Sequence, residues 1–143
     1  MVNILLVEDN EGDILLTTEA LQMCRISYDL AVVKDGKDAV DFLSGQGRYS
    51  GIHTPDLILL DINLPKMNGY EVLNFIRENE VLKEIPVVVL TTSSNQKDII
   101  LCDQQKADGF ITKPMEPEIF LQVLAQIREP QGRDLSFASK NNR

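Results

Sequence analysis

Basic residues are scarce in this chain: its 143 residues hold 14 Lys and Arg against 22 Asp and Glu, a formal charge of −8 with a pI near 4.6. Nucleic-acid binding draws its affinity from cations that displace phosphate counterions, so this balance argues against nucleic acid and against anionic membranes as partners. Long apolar runs are missing as well. Ile4–Val7 and Val87–Leu90 are among the longest, far below the roughly 20 residues that span a bilayer. The N-terminus has neither the basic start nor the extended apolar stretch of a signal peptide, and a cytoplasmic location is the expectation. The two cysteines, Cys24 and Cys102, lie in helical patterns without C-x-x-C spacing, which argues for buried, reduced thiols over a disulfide or a metal site. The single histidine, His53, sits in a glycine-rich loop and is expected to be solvated.

Five strand-like runs are present, at Asn3 to Val7, Tyr28 to Val33, Leu57 to Leu60, Pro86 to Leu90 and Gly109 to Thr112, each followed by a segment of helical length. This alternation predicts one α/β domain, a doubly wound parallel sheet of five strands with five helices. Helix starts are marked by Asn10 with Asp13 three residues on and by Asp35 with Asp38 three residues on, an N-cap followed by an acid near the positive helix end. In the last helical segment Ile119, Phe120, Val123, Leu124 and Ile127 recur at a period near 3.6 and predict one inward stripe. The domain is expected over 1–128 and a loose polar tail over 129–143, where Pro130, Gly132 and a Ser/Lys/Asn stretch end the pattern. One loop, "SGQGRYSGIHTP" from Ser44 to Pro55, is long and holds three glycines. It belongs at the amino ends of the strands, as a partner contact or as a tolerated surface insertion.

The chemistry-bearing residues gather at the other ends. The stretch "LILLDINLPKMNG" runs a buried strand into Asp61. The first strand ends in Glu8-Asp9, the fourth in Thr91-Thr92 and the fifth in Lys113-Pro114. In a parallel sheet these ends share one rim, where open α/β folds bind ligands. Three neighbouring acids repel one another and favour protonation unless a cation sits among them. Mg²⁺ suits such a site, because it takes oxygen ligands, keeps waters and bridges to phosphate.

At these residues the chain resembles the receiver domain of bacterial two-component response regulators. The resemblance runs from Val2 to about Arg128 and rests on Glu8-Asp9, on Asp61 followed by "INLPKMNG", on Thr91 after an apolar strand, and on "GFITKP". It implies the flavodoxin-like strand order 2-1-3-4-5. "FLSGQGRYS" and "EIPVVVLTTSS" further resemble the single-domain regulators associated with phytochromes. Carried over residue by residue, the resemblance implies Asp61 as phosphoacceptor, and Asp9, Asp61, the Asn63 backbone carbonyl and Glu8, directly or through water, as Mg²⁺ ligands. Thr91 and Lys113 would contact phosphoryl oxygens, and Lys113-Pro114 would be a cis peptide. Thr91 and Phe110 would form the switch, although a purely structural Phe110 competes with that role. Asn63 and Ser93 would flank the path of the hydrolytic water. Asn68 stands where an acid is common, and Lys106 where many receivers have a helix-ending Gly.

The partner implied is a sensor histidine kinase, with a phytochrome-type kinase as the narrower expectation. The family resemblance makes the chain a signalling protein and not an enzyme beyond its own phosphotransfer and dephosphorylation. Two alternatives stay open, a phosphate-independent receiver-like interaction module and an aspartyl-phosphate phosphatase. The second is opposed by Asn63, which replaces the general acid such an enzyme needs two residues after its nucleophile. A flavin carrier on the same topology would need a Ser/Thr/Gly-rich phosphate loop after the first strand, and is opposed by "EDNEGD", whose four acids would repel phosphate without a metal. Self-association is expected through the fourth helix, the fifth strand and the fifth helix. Ile99, Ile100, Leu101 and Cys102 are consecutive there and cannot all face the sheet, and Leu121 adds an apolar residue to the last helix.

Overall fold

A computed structural model of the chain describes residues 1–92 and 107–127. Strands β1 (Val2–Val7), β2 (Tyr28–Val33), β3 (Leu57–Asp61), β4 (Val87–Thr91) and β5 (Gly109–Thr112) form one parallel sheet in the order β2-β1-β3-β4-β5. Four helices accompany it among the described residues: α1 (Glu11–Met23), α2 (Gly36–Ser44), α3 (Gly69–Glu78) and α4 (Pro117–Gln126). The helix expected between β4 and β5, with Ile99–Cys102 and Lys106, lies outside the described residues, as do Ser93 and the tail at 129–143.

The strands read as unbroken apolar runs because both faces of the sheet are covered. Side chains alternate across a strand, so Ile4, Leu6, Leu57, Leu59, Val88, Leu90 and Ile111 enter one core with Ala20 and Leu21 of α1 and Phe120 and Leu124 of α4. Leu5, Val7, Ile58, Leu60, Val87 and Val89 enter the opposite core with Ala39 and Phe42 of α2 and Val72, Leu73 and Ile76 of α3. Every residue of β3 and β4 is buried, which fixes register, since a slip of one residue would exchange the two faces.

The helix starts follow their caps. Asn10 and Asp35 each accept from the backbone N–H three residues on, and Asn68 closes a full capping box with Glu71. The neutral Asn68 is therefore a structural fit at its position. The stripe expected on α4 needs one correction. Phe120, Leu124 and Ile127 face the core, but Ile119 is 43% exposed, whereas Leu121 is half-buried against that core. Ile119 sits farther round the helix from the Phe120–Leu124–Ile127 line than Leu121 does. The outward apolar residue of this helix is thus Ile119.

The long loop is tied to α2 around a 3₁₀ turn at Gly47–Tyr49. The Tyr49 hydroxyl donates to Asp38 Oδ2 at 2.8 Å and its ring packs 5.0 Å from that of Phe42. Gly45, Gly47 and Gly51 all adopt positive φ, a backbone that disfavours other residues. His53 is exposed, and Cys24 is buried, its thiol pushed up to about 11, first by burial and then by Glu118.

Candidate functional site

Sheet order decides what meets at the carboxyl rim. β1 and β3 are direct neighbours, pairing Val7 with Leu60, so the residues that follow, Glu8 and Asp61, end side by side. β4 and β5 pair Thr91 with Thr112, and the Lys113 N–H donates to the Thr91 carbonyl at 2.7 Å. The Lys113-Pro114 peptide is cis. From there the Lys113 ammonium crosses toward β1 and β3.

That ammonium is the hub of the site. Its Nζ lies 2.6 Å from Glu8 Oε1, 2.9 Å from Asp13 Oδ2 and 3.4 Å from Asp61 Oδ2. Glu8 is fully buried and Asp61 nearly so, at 4% exposure, and Thr91 is fully buried at the end of β4. Asp61 is held asymmetrically, because the Asn63 N–H donates to Oδ1 at 3.1 Å while Oδ2 faces the ammonium. Behind it, the Gly69 N–H donates to the Ile62 carbonyl at 2.8 Å and draws the start of α3 against the strand end.

Electrostatics tie the buried carboxylates to Lys113. Burial pushes Glu8 up to about 7, helped by its hydrogen bond and repulsion with Asp61 and opposed by Lys113. Lys113 is buried too, which by itself would lower its pKa, but its bonds to Glu8 and Asp13 and the charge of Asp61 win and hold it raised. One carboxylate oxygen from each of Glu8, Asp9 and Asp61 lies within 4.8 Å of the others, and Asp9 is exposed at the mouth. Glu8 Oε1 has no hydrogen-bond donor aligned on it despite the nearby ammonium. Converging hard oxygens from three carboxylates fit a divalent metal ion.

The structure thus brings together Glu8, Asp9, Asp61 and Lys113, with Thr91 at the same rim. The Asn63 side chain is exposed, and its backbone lies beside Asp61. Phe110 stands apart, half-buried one strand residue before Ile111, against the core that holds Val87 and Val89. Sequence reasoning gave Asp13 a helix-start role, yet its carboxylate accepts from the Lys113 ammonium across 100 positions.

A family model described as "Response regulator receiver domain" matches residues 4–125. Response regulator Rcp1 of Synechocystis sp. is 47% identical over 110 residues, covering 77% of this chain and 75% of that protein. The crystal structure of the Mn²⁺-bound form of Rcp1 superposes with a TM-score of 0.77 at 44% identity, covering 86% of this chain and 89% of the other. The phosphorylated cyanobacterial phytochrome response regulator RcpA gives a TM-score of 0.76 at 43% identity, covering 85% and 87%.

Proposed function

Because the chain belongs to the response regulator receiver domain family, we propose that it is a phosphoacceptor switch: Asp61 takes a phosphoryl group from a sensor histidine kinase, and the signal leaves as a change in protein contacts. The observation that carries this reading is the Asp61 carboxylate itself, buried, held at Oδ1 by the Asn63 N–H and faced at Oδ2 by the Lys113 ammonium.

In this reading an Asp61 oxygen attacks phosphorus in line, a P–O bond forms as the P–N bond of the phosphohistidine breaks, and the electron pair returns to the imidazole nitrogen. Lys113 offsets charge on the transferred oxygens, and the Thr91 hydroxyl donates to one of them. Glu8, Asp9, Asp61 and the Asn63 carbonyl would hold Mg²⁺, which when bound neutralises negative charge on the phosphoryl group. Thr91 and Phe110 form the switch, Thr91 moving toward the phosphoryl group and Phe110 turning inward along β5. Asn63 leaves room for the water that hydrolyses the acyl phosphate.

Likeness to regulators named for phytochromes supports a phytochrome-type kinase in a light-signalling pathway as the donor. No helix among the described residues is long and apolar enough to cross a membrane. The surface beside the site suits protein contact: Leu15 and Leu16 in the first turns of α1 are 59% and 47% exposed. Self-association uses β5 and α4, with Ile119 as an outward apolar residue of α4.

The test is labelling by acetyl phosphate or by a histidine kinase in the presence of Mg²⁺. The native chain should take up one acid-stable, base-labile phosphoryl group and Asp61→Asn none, because an amide is a far poorer nucleophile. Stoichiometric labelling of the variant would remove Asp61 as acceptor. Profiling the organism's histidine kinases, phytochrome-type ones included, identifies the donor.

A further inference from the structure

The starts of α1 and α3 are built from the same parts and wired differently. Each has an asparagine at the N-cap and an acid three residues on. In α3 the box closes: Glu71 N–H donates to Asn68 Oδ1 at 3.0 Å and Asn68 N–H donates to Glu71 Oε1 at 3.2 Å. In α1 the Asp13 N–H donates to Asn10 Oδ1 at 2.9 Å, but the return bond is made elsewhere, the Asn10 N–H donating to Glu8 Oε2 at 3.3 Å. The Asp13 carboxylate is released from capping and instead accepts from Lys113 Nζ at 2.9 Å.

We infer that Asp13 is a positioning residue for Lys113, sharing the ammonium with Glu8 and holding it back from Asp61, 3.4 Å away, so that the Asp61 carboxylate stays open to the cation. An ammonium has three donors, and here three carboxylates surround it. Asp13 is the only one of them outside the Glu8, Asp9 and Asp61 cluster that fits a metal ion. When those oxygens turn to a cation and to phosphorus, Asp13 alone keeps the lysine in place. Without Asp13 the ammonium closes on Asp61 as well as Glu8 and competes with the cation for the Asp61 oxygen. The Asp13 side chain is 30% exposed, so water screens part of the effect and several-fold changes are expected, not many orders of magnitude.

This role rests on the phosphoacceptor reading of Asp61, and the experiment separates the two. Mg²⁺ affinity is measured by titration calorimetry for the native chain, Asp13→Asn, Lys113→Met and the double variant, with Lys113→Gln as a second background. Asp13→Asn should weaken Mg²⁺ binding about five- to tenfold when Lys113 is present and less than about twofold in either lysine-free background, the non-additivity of residues that act through each other. Asp13→Glu should recover most of the loss. Equal losses with and without Lys113 would indicate plain charge or a damaged helix start and would overturn the inference, as would no loss at all. Beryllofluoride binding by the native chain in Mg²⁺ is recorded alongside. Its absence would overturn the phosphoacceptor reading and this role with it, whereas its presence with equal losses overturns the role of Asp13 alone.

Discussion

Gly69 opens α3 directly behind Asp61, and Gly69→Ala tests how tightly that backbone is packed. A methyl at this position would lie 2.4 Å from the Asp61 carbonyl oxygen, 2.6 Å from Ile62 Cα and 3.0 Å from the Ile62 carbonyl oxygen. The shortest of these is about 1 Å inside ordinary contact, and all three atoms are backbone, which cannot swing aside as a side chain does. The helix start cannot retreat freely either, because the Gly69 N–H is bonded to the Ile62 carbonyl. Overpacking of this kind costs about 3 kcal/mol. Replacing Gly by Ala in a helix returns at most about 1 kcal/mol. The net loss of about 2 kcal/mol should lower Tm by roughly 6–8 °C for a domain of this size. Displacing the Asp61 backbone should also slow acetyl phosphate labelling by about 10- to 100-fold. Gly12→Ala is the control in the first turn of α1, where the nearest atom is the movable Asn10 Oδ1 at 3.2 Å. Its stability should stay within about 0.5 kcal/mol of native. Thermal unfolding by circular dichroism and the labelling rate give both readouts. A Gly69→Ala chain that melts at or above native, or a Gly12→Ala chain that loses as much, would refute the argument.

Leu15→Asp and Leu16→Asp should slow transfer from a histidine kinase by about tenfold or more while leaving acetyl phosphate labelling near native, since only the protein donor needs that surface; parallel loss of both reactions would sink it. Cys24, with its thiol raised to about 11 and its side chain buried, should be alkylated by iodoacetamide at pH 8 at least about 100-fold more slowly in the folded than in the urea-unfolded chain. Its folded rate should climb with each pH unit until that pKa is reached, as peptide mapping will show; similar folded and unfolded rates at pH 8 would contradict the burial. Sedimentation over a concentration series with Mg²⁺ and beryllofluoride should show a dimer that Ile119→Asp weakens; a monomer throughout, or a variant like native, would end the self-association proposal.

Much of the site was legible because it depends on strand order more than on side-chain packing. Apolar runs ending in Glu8-Asp9, Asp61, Thr91 and Lys113 mark parallel strands whose carboxyl ends share a rim, and the N-cap residues Asn10 and Asp35 announce where helices begin. Burial and capping are local requirements, so each element carries its own record of them. Pairing is not local. Nothing near Asp13 tells that its carboxylate leaves the helix cap for Lys113, because that choice depends on how far the sheet brings β5 toward β1. Ile119 and Leu121 flank the same apolar stripe, and only the docking of α4 through Phe120 and Leu124 leaves Ile119 outward. Gly36 and Gly69 look like ordinary helix-start glycines until the chain is folded. The first then lies where a methyl would strike the Met67 carbonyl at 1.9 Å and the second where it would strike that of Asp61. The sequence by itself determined which strands are buried, where helices start and which chemistry collects at the rim, all properties of neighbours along the chain. Only the tertiary structure decided which carboxylate holds the lysine and which glycines admit no methyl, because those are distances between segments that meet only once the sheet is assembled.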